Sequence, residues 1–209
     1  QQMLDERNNS WQQSRQRLDI LKKLEKTPFF ARLDFQEKGE PKRESVYIGL
    51  SSFTDEKDHF LVYDWRAPIS SIYYDGKLGE VTYQTPDGEQ SVDLFLKRQF
   101  LVENGKIKAY FDTQETIGDQ MLLEVLDGKS STHMKGIVKT IQSEQNKIIR
   151  DTKSKLLFVQ GAAGSGKTSA ILQRIAFLLY RYRGTLTSSQ VVMFSPNSLF
   201  NDYIKDVLP

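Results

Sequence analysis

A stripe of apolar residues with seven-residue spacing runs through the first 26 residues of the chain. Its members are Leu4, Trp11 and Leu18, extended by Leu21 and Leu24, and mostly polar residues stand between them. Such a pattern predicts an amphipathic helix with a narrow apolar face, which suits a coiled-coil partner as well as a globular core. Pro28 ends the helix, because the residue before a proline is pushed out of the helical region. Residues 1–26 are therefore predicted to form a helical arm.

Short segments rich in β-branched and aromatic residues follow, and turn sequences separate them. The segments are residues 29–35, 45–50, 60–64, 71–74, 80–85 and 92–103. The strongest hairpin signal is Asn104-Gly105, because asparagine followed by glycine supplies the two positive φ angles of a type I′ turn. Connections of hairpin length indicate antiparallel pairing. Residues 27–114 are therefore predicted to form an antiparallel β meander domain.

The remaining residues, 115–209, combine helical periodicity with two uninterrupted apolar runs. Helices are predicted near residues 121–126, 133–150, 166–183 and 198–208. The runs at 156–159 (Leu-Leu-Phe-Val) and 191–194 (Val-Val-Met-Phe) do not alternate, as expected of strands buried on both faces of a parallel sheet. The predicted fold class is thus α/β plus β-rich: a helical arm, an antiparallel β meander domain, and the first part of a RecA-like P-loop domain with parallel strands.

Composition narrows the class of protein without identifying it. The chain has 209 residues, no cysteine and a net charge of +2, so disulfides and thiolate metal sites are excluded and the charge alone does not indicate nucleic acid. His59 and His133 lie near no acidic cluster with metal-ligand spacing. The longest apolar run is far shorter than the roughly 20 residues that cross a bilayer. We therefore expect a cytoplasmic protein without a membrane segment, and the start at Gln1 suggests a fragment of a longer protein.

Residues 161–168 match the phosphate-binding pattern Gly-x-x-x-x-Gly-Lys-Thr. The glycines allow a tight turn whose amide groups face phosphate oxygens, and the positive end of the following helix points to the same place. In this pattern Lys167 reaches the β and γ phosphates of ATP, and the Thr168 hydroxyl coordinates Mg²⁺. A glycine-rich turn between a strand and a helix is the plain alternative. Lys167 and Thr168 are the candidate catalytic residues, and the candidate nucleotide-binding residues of the loop are Gly161, Ala162, Ala163, Gly164, Ser165, Gly166, Lys167, Thr168 and Ser169.

Hydrolysis of ATP requires more than this loop. It needs one carboxylate for Mg²⁺ and a second that orients the attacking water, usually at the end of another strand of the same sheet. After Phe194 the only acidic residues are Asp202 and Asp206, both within a predicted helix, while Asp64 belongs to the predicted meander. We therefore expect this chain to bind nucleotide weakly and to lack meaningful ATPase activity.

Two segments on either side of the loop resemble motifs of superfamily 1 helicases. Gln145 is similar to the glutamine that reads adenine in that family, since an amide can donate and accept hydrogen bonds at once. Ser195 and Asn197 stand where the family contacts single-stranded DNA, although the family usually has a Phe-Thr-Asn-Lys-like stretch and this chain has Phe-Ser-Pro-Asn. The structural alternatives are a solvent-facing polar residue for Gln145 and a helix cap for Asn197.

Four further segments carry a more specific resemblance. They are residues 47–53 (Tyr-Ile-Gly-Leu-Ser-Ser-Phe), 62–71 (Val-Tyr-Asp-Trp-Arg-Ala-Pro-Ile-Ser-Ser), 96–99 (Leu-Lys-Arg-Gln) and 137–168. With them, nearly the whole chain resembles the HelD family of UvrD-like proteins associated with bacterial RNA polymerase. The resemblance implies ATP and Mg²⁺ as cofactors, and DNA and RNA polymerase as partners. It also implies a helical arm in the polymerase secondary channel and a motor that helps to release polymerase from nucleic acid.

Two other classes of function stay open beside this one. The chain could be an interaction module that binds polymerase while the loop only senses nucleotide. It could also be an unrelated phosphate-loop enzyme, such as a small-molecule kinase, although a kinase needs lid and substrate residues soon after the loop. An aspartate-glutamate pair and arginine fingers in a longer protein would distinguish the motor from the sensor.

Residues 65–68 (Trp-Arg-Ala-Pro) allow two interpretations. They form either an exposed recognition loop or a structural corner, in which Trp65 packs and Arg66 pairs with a carboxylate such as Asp64. We favour the corner. Four basic residues of the meander are predicted to be solvated strand residues rather than a basic binding face: Lys97, Arg98, Lys106 and Lys108.

Overall fold

The computed structural model describes residues 24–113 and 138–194, together with residues 11, 15, 18, 21 and 22. Within them lie a seven-stranded, mostly antiparallel sheet and a few helices. The strands are β1 (Ala31–Glu37), β2 (Arg43–Gly49), β3 (Phe53–Thr54), β4 (Phe60–Asp64), β5 (Gly79–Thr85), β6 (Gly88–Glu103) and β7 (Lys106–Asp112). The helices are α1 (Ser71–Asp75), α2 (Ser143–Arg150) and α3 (Lys167–Arg181), and short 3-10 turns span Val138–Thr140 and Ser188–Gln190.

The 16-residue strand β6 organises the sheet. It pairs antiparallel with β1 on one side, and on the other with β5 along its first half and β7 along its second half. The strand order is β3-β4-β2-β1-β6-β5, and β2 and β4 pair in parallel. The predicted antiparallel pairing is confirmed for most of the sheet. The predicted meander is wrong, because β1 lies between β2 and β6, which are not consecutive strands, and β2 pairs in parallel with β4.

The hairpin between β6 and β7 has the predicted turn. Asn104 has a φ of 49° and Gly105 a φ of 73°, and the flanking residues Glu103 and Lys106 face each other across the strands. Two consecutive positive φ angles match the twist of a two-residue hairpin, which explains the asparagine-glycine pair at this position.

The core lies between one face of the sheet and the helices. In β1 the residues Ala31, Leu33 and Phe35 are buried while those between them are partly exposed, as the two-residue period of a strand requires. The same cluster of buried residues continues into the helical part through Ile141, Ile149, Ala176 and Phe177. Burial of these apolar side chains therefore joins the sheet to α2 and α3.

The predicted corner at residues 65–68 is confirmed. Trp65 is only 4% exposed, and the Arg66 guanidinium donates to both oxygens of the Asp64 carboxylate at 2.9 and 2.8 Å. The Ser70 hydroxyl donates to the Asp64 carbonyl at 2.7 Å, which holds the turn that leads into α1. These contacts are local and internal, so the segment is part of the scaffold and is not an exposed recognition loop.

Two predictions within the β domain are wrong. Residues 71–74 were expected in a strand but form α1, because the corner before them starts a turn of helix and Ile72, Tyr73 and Tyr74 are all buried without alternation. Lys97 was expected at the surface, yet it is 1% exposed and its ammonium donates to the Gly76 carbonyl at 2.8 Å. That carbonyl lies just past the end of α1, where a cation is favourable.

The expected parallel strands are not formed. Residues 156–159 and 191–194 have no strand conformation, and Leu156, Phe158, Val192 and Phe194 are 74%, 86%, 75% and 94% exposed. A strand exists only through hydrogen bonds to a neighbour, and within the described residues neither segment has one. A RecA-like parallel sheet is therefore not seen in the described part of the chain.

The helices agree with the sequence only in part. The helix expected over 166–183 is α3, with Gly184 in the left-handed region after it at a φ of 89°. The helix expected over 133–150 begins instead at Ser143. Trp11 and the other described residues before Thr27 are helical. The rest of the predicted arm and the helices near 121–126 and 198–208 lie outside the described residues.

Candidate nucleotide-binding site

The candidate phosphate loop, residues 161–168, leads directly into the long helix α3. Gly164 and Gly166 both have a φ of 79°, in the left-handed region that favours glycine, and Gly166 is the N-cap of α3. At Gly161 a Cβ atom would come within 2.7 Å of the Ser165 Oγ. The positive φ angles of Gly164 and Gly166 therefore favour glycine at these two positions, and the positive end of α3 faces the loop.

Lys167 lies over this loop. Its ammonium donates to the carbonyl oxygens of Gly161 at 2.8 Å and of Ala162 at 2.6 Å. Thr168 and Ser169 follow in the first turn of α3, and Thr168 is exposed. An ammonium, a hydroxyl and a helix N-terminus at one loop are the donor set that a Mg²⁺-bound polyphosphate needs.

Gln145, on α2, lies against the loop from the other side. Its Nε2 donates to the Ser165 carbonyl at 3.3 Å, and its Oε1 accepts from the backbone amide of Gln142 at 3.0 Å. A Cβ atom at Gly166 would lie 2.5 Å from the same Nε2. The two parts of the predicted site therefore meet, although they belong to different helices.

The position of α2 is set by Asp75, the last residue of α1. One oxygen of its carboxylate accepts from the Ser143 hydroxyl at 2.9 Å, and the other accepts from the Asn146 amide at 2.5 Å. Asn146 is fully buried, so its hydrogen bonds are costly to lose. The sequence marks Asp75 only as the first residue of an Asp-Gly turn, and its contact with α2 depends on the tertiary fold.

Arg150, at the end of α2, ties the helix to the corner of the β domain. Its guanidinium donates to the carbonyls of Trp65 at 2.6 Å and of Arg66 and Ala67 at 3.2 Å. It also donates to the Asn146 side chain at 2.9 Å. Burial lowers the pKa of Arg150, yet the acceptors around it stabilise the cation. Sequence reasoning missed Arg150, Asn146 and Asp75 because none belongs to a local motif.

The described residues offer no complete metal site. Within 24–113 and 138–194, no group of three or more histidine, aspartate or glutamate residues is placed to hold a metal ion. The Asp64 carboxylate is engaged by Arg66 and is 3% exposed, so it belongs to the corner. Ser195 and Asn197, the candidate DNA contacts, lie outside the described residues, as do Asp202 and Asp206. No described helix is long and apolar enough to cross a membrane.

Comparison with known families shows which protein family the chain belongs to. A family model described as "DNA helicase IV HelD, N-terminal domain" matches residues 1–123, more than half of the chain. The chain therefore belongs to this helicase-related HelD family. The match covers the sheet and α1, whereas α2, the loop and α3 follow after it. No curated protein matches the chain.

Proposed function

We propose that this chain is the ATP-binding N-terminal portion of a superfamily 1, UvrD-like DNA helicase or translocase that acts with RNA polymerase to release it from nucleic acid. The observation that carries the proposal is the meeting of Gln145 and Lys167 at one glycine loop. A chance match to the loop pattern would not bring a glutamine from another helix to the same place. Membership of the HelD family supports the same class of protein.

In this proposal each residue of the site has a separate role in binding ATP. Lys167 exchanges its two carbonyl acceptors for β and γ phosphate oxygens, and the amides around Gly164 and Gly166 donate to the same phosphates. Thr168 offers its hydroxyl to Mg²⁺, which neutralises phosphate charge when bound. The Gln145 amide turns from Ser165 to the edge of adenine.

Lys167→Ala tests nucleotide binding. The variant loses the cation that faces the phosphates, so we expect its affinity for a fluorescent ATP analogue with Mg²⁺ to fall by at least about tenfold. Lys147→Ala is the matched control, because Lys147 is an exposed lysine of the adjacent α2. Equal affinities in all three proteins would contradict the proposal. ATP turnover by this chain that disappeared in Lys167→Ala would contradict the expected lack of hydrolysis.

The polymerase partner requires a separate test. We expect immobilised bacterial RNA polymerase to retain the chain through its first two segments, residues 1–26 and 27–114, and not through the loop. Removal of residues 1–20 should weaken retention, while Lys167→Ala should not change it. Retention that survives the truncation but is lost in Lys167→Ala would refute this assignment.

A nucleotide sensor without motor activity is the second candidate. It is favoured by the contacts of α2, since the helix that carries Gln145 is also bonded to Asp75 and to the corner of the β domain. A ligand that moves Gln145 would thus change the contacts between α2 and the β domain, which is proposed to bind polymerase. Polymerase binding that changes with nucleotide in the full-length protein, without ATP turnover, would favour the sensor over the motor.

A further inference from the structure

A cleft lies at the opposite end of α3 from the phosphate loop. It has a volume of about 540 Å³ and is walled by α1, the strand β5 and the last turns of α3. Because α3 has 15 residues, its two ends are about 20 Å apart. The volume falls within the range of about 300–1,000 Å³ that is usual for small-molecule sites.

The lining of this cleft is strongly basic. It contains four arginines, Arg66, Arg150, Arg181 and Arg183, and one acidic residue, Asp75. Asp75 accepts hydrogen bonds from Ser143 and Asn146 but keeps its negative charge, so the lining has three more positive than negative side chains.

The four arginines are not equivalent. Arg66 is paired with Asp64, and Arg150 donates to three backbone carbonyls. Arg183 uses one N–H for the Tyr180 carbonyl at 3.3 Å, and Arg181 has no hydrogen-bonded or ion-paired partner among the described residues. Arg181 and Arg183 therefore retain guanidinium donors for a ligand. Guanidinium groups suit phosphate, since their planar donors match two of its oxygens.

Aromatic rings alternate with these cations. The guanidinium carbons of Arg66 and Arg183 each lie 4.8 Å from the centre of the Tyr180 ring, and that of Arg150 lies 5.2 Å from the centre of Phe177. Tyr83 of β5 contributes a further ring to the cleft. Flat aromatic and guanidinium surfaces are the groups on which a nucleobase stacks.

We propose that this cleft binds a nucleoside phosphate, with the phosphate on Arg181 and Arg183 and the base against the wall formed by Tyr83 and by the Tyr180 ring with the Arg66 guanidinium over it. Free phosphate alone would leave the aromatic wall unused. The ligand comes either from free nucleotide or from one nucleotide of a single strand. The site is separate from the phosphate loop and does not depend on the function proposed for Lys167.

The experiment uses the whole chain carrying Lys167→Ala, so that the phosphate loop contributes little to binding. Calorimetry with AMP tests the free nucleotide, and fluorescence anisotropy with a labelled oligo-dT strand at low salt tests the strand. The double change Arg181→Ala with Arg183→Ala should weaken the bound probe by at least about tenfold. The control double change, Lys42→Ala with Arg43→Ala, removes the same charge from exposed residues of another region and should have a much smaller effect.

Each outcome decides the proposal. Loss of AMP binding in the double variant identifies free nucleotide as the source, and loss of strand binding alone identifies a single strand. The pair Arg181→Lys with Arg183→Lys should keep part of the affinity, which separates loss of charge from misfolding. Failure of both probes to bind the starting protein, or equal weakening by the two double variants, overturns the proposal.

Discussion

Replacement of Arg150 by methionine tests how the helix that carries Gln145 is held. The change keeps most of the side-chain volume but removes the donors to the carbonyls of Trp65, Arg66 and Ala67 and to Asn146. A hydrogen bond from a charged group contributes about 1.5–3 kcal/mol, but the four bonds are not additive and the side chain is only partly buried. We expect the free energy of unfolding to fall by about 2–4 kcal/mol.

Urea unfolding followed by tryptophan fluorescence measures this loss. Trp65 is a buried reporter within the corner itself, and Trp11→Phe in every protein removes the other, exposed tryptophan. Arg43→Met is the control, because the Arg43 side chain is exposed and, within the described residues, its guanidinium interacts only with the face of Phe95. Its effect should stay below about 1 kcal/mol. If Arg150→Met and Arg43→Met lose the same small amount, the carbonyl contacts do not stabilise the fold as argued.

Three other predictions follow from contacts described above. Burial lowers the pKa of Lys97 from 10.5 to about 8, so between these pH values the unfolded chain binds more protons than the folded chain. The free energy of unfolding should therefore rise with pH in this range, by up to about 3 kcal/mol. Chemical unfolding of Lys97→Met should lack this rise, and identical pH profiles for the two proteins would disprove the assignment. Gly105→Ala should cost about 1–2 kcal/mol, because alanine is strained at a φ of 73°, and an unchanged melting temperature would contradict this. Asp75→Ala should weaken binding of the fluorescent ATP analogue several-fold, because it removes the hydrogen bonds that position α2, whereas Asp93→Ala, at an exposed position of β6, should not. Equal effects of the two changes would contradict the argument that Asp75 positions Gln145.

Local patterns predicted the parts of the fold that local chemistry determines. The turn at Asn104-Gly105 needs two positive φ angles, and the pairing of Arg66 with Asp64 spans two residues. The extent of α3 follows from its own periodicity and the glycine after it. The tight turn of the phosphate loop before α3 was predictable for the same reason, because the positive φ angles of Gly164 and Gly166 are ones that glycine adopts readily.

Features that depend on distant residues were not predictable in the same way. Three consecutive buried residues, Ile72 to Tyr74, carry no period that separates a strand from a helix. Lys97 can be buried because the Gly76 carbonyl, at the end of α1, accepts a hydrogen bond from its ammonium, and nothing near Lys97 in the sequence indicates that acceptor. The runs at 156–159 and 191–194 have strand composition, but strand conformation also requires a neighbouring strand.

The central strand β6 also has a consequence for how the chain folds. In the finished sheet β1 lies between β2 and β6, and Ala31 pairs with Gln99. During synthesis β1 and β2 can form a hairpin early, but the second edge of β1 stays open until β6 has left the ribosome. Contacts between residues so far apart in sequence slow folding, since a long loop must close before they form. An open strand edge is also where unfinished chains associate with one another. We therefore expect completion of β6 to be the step that commits the domain to its fold.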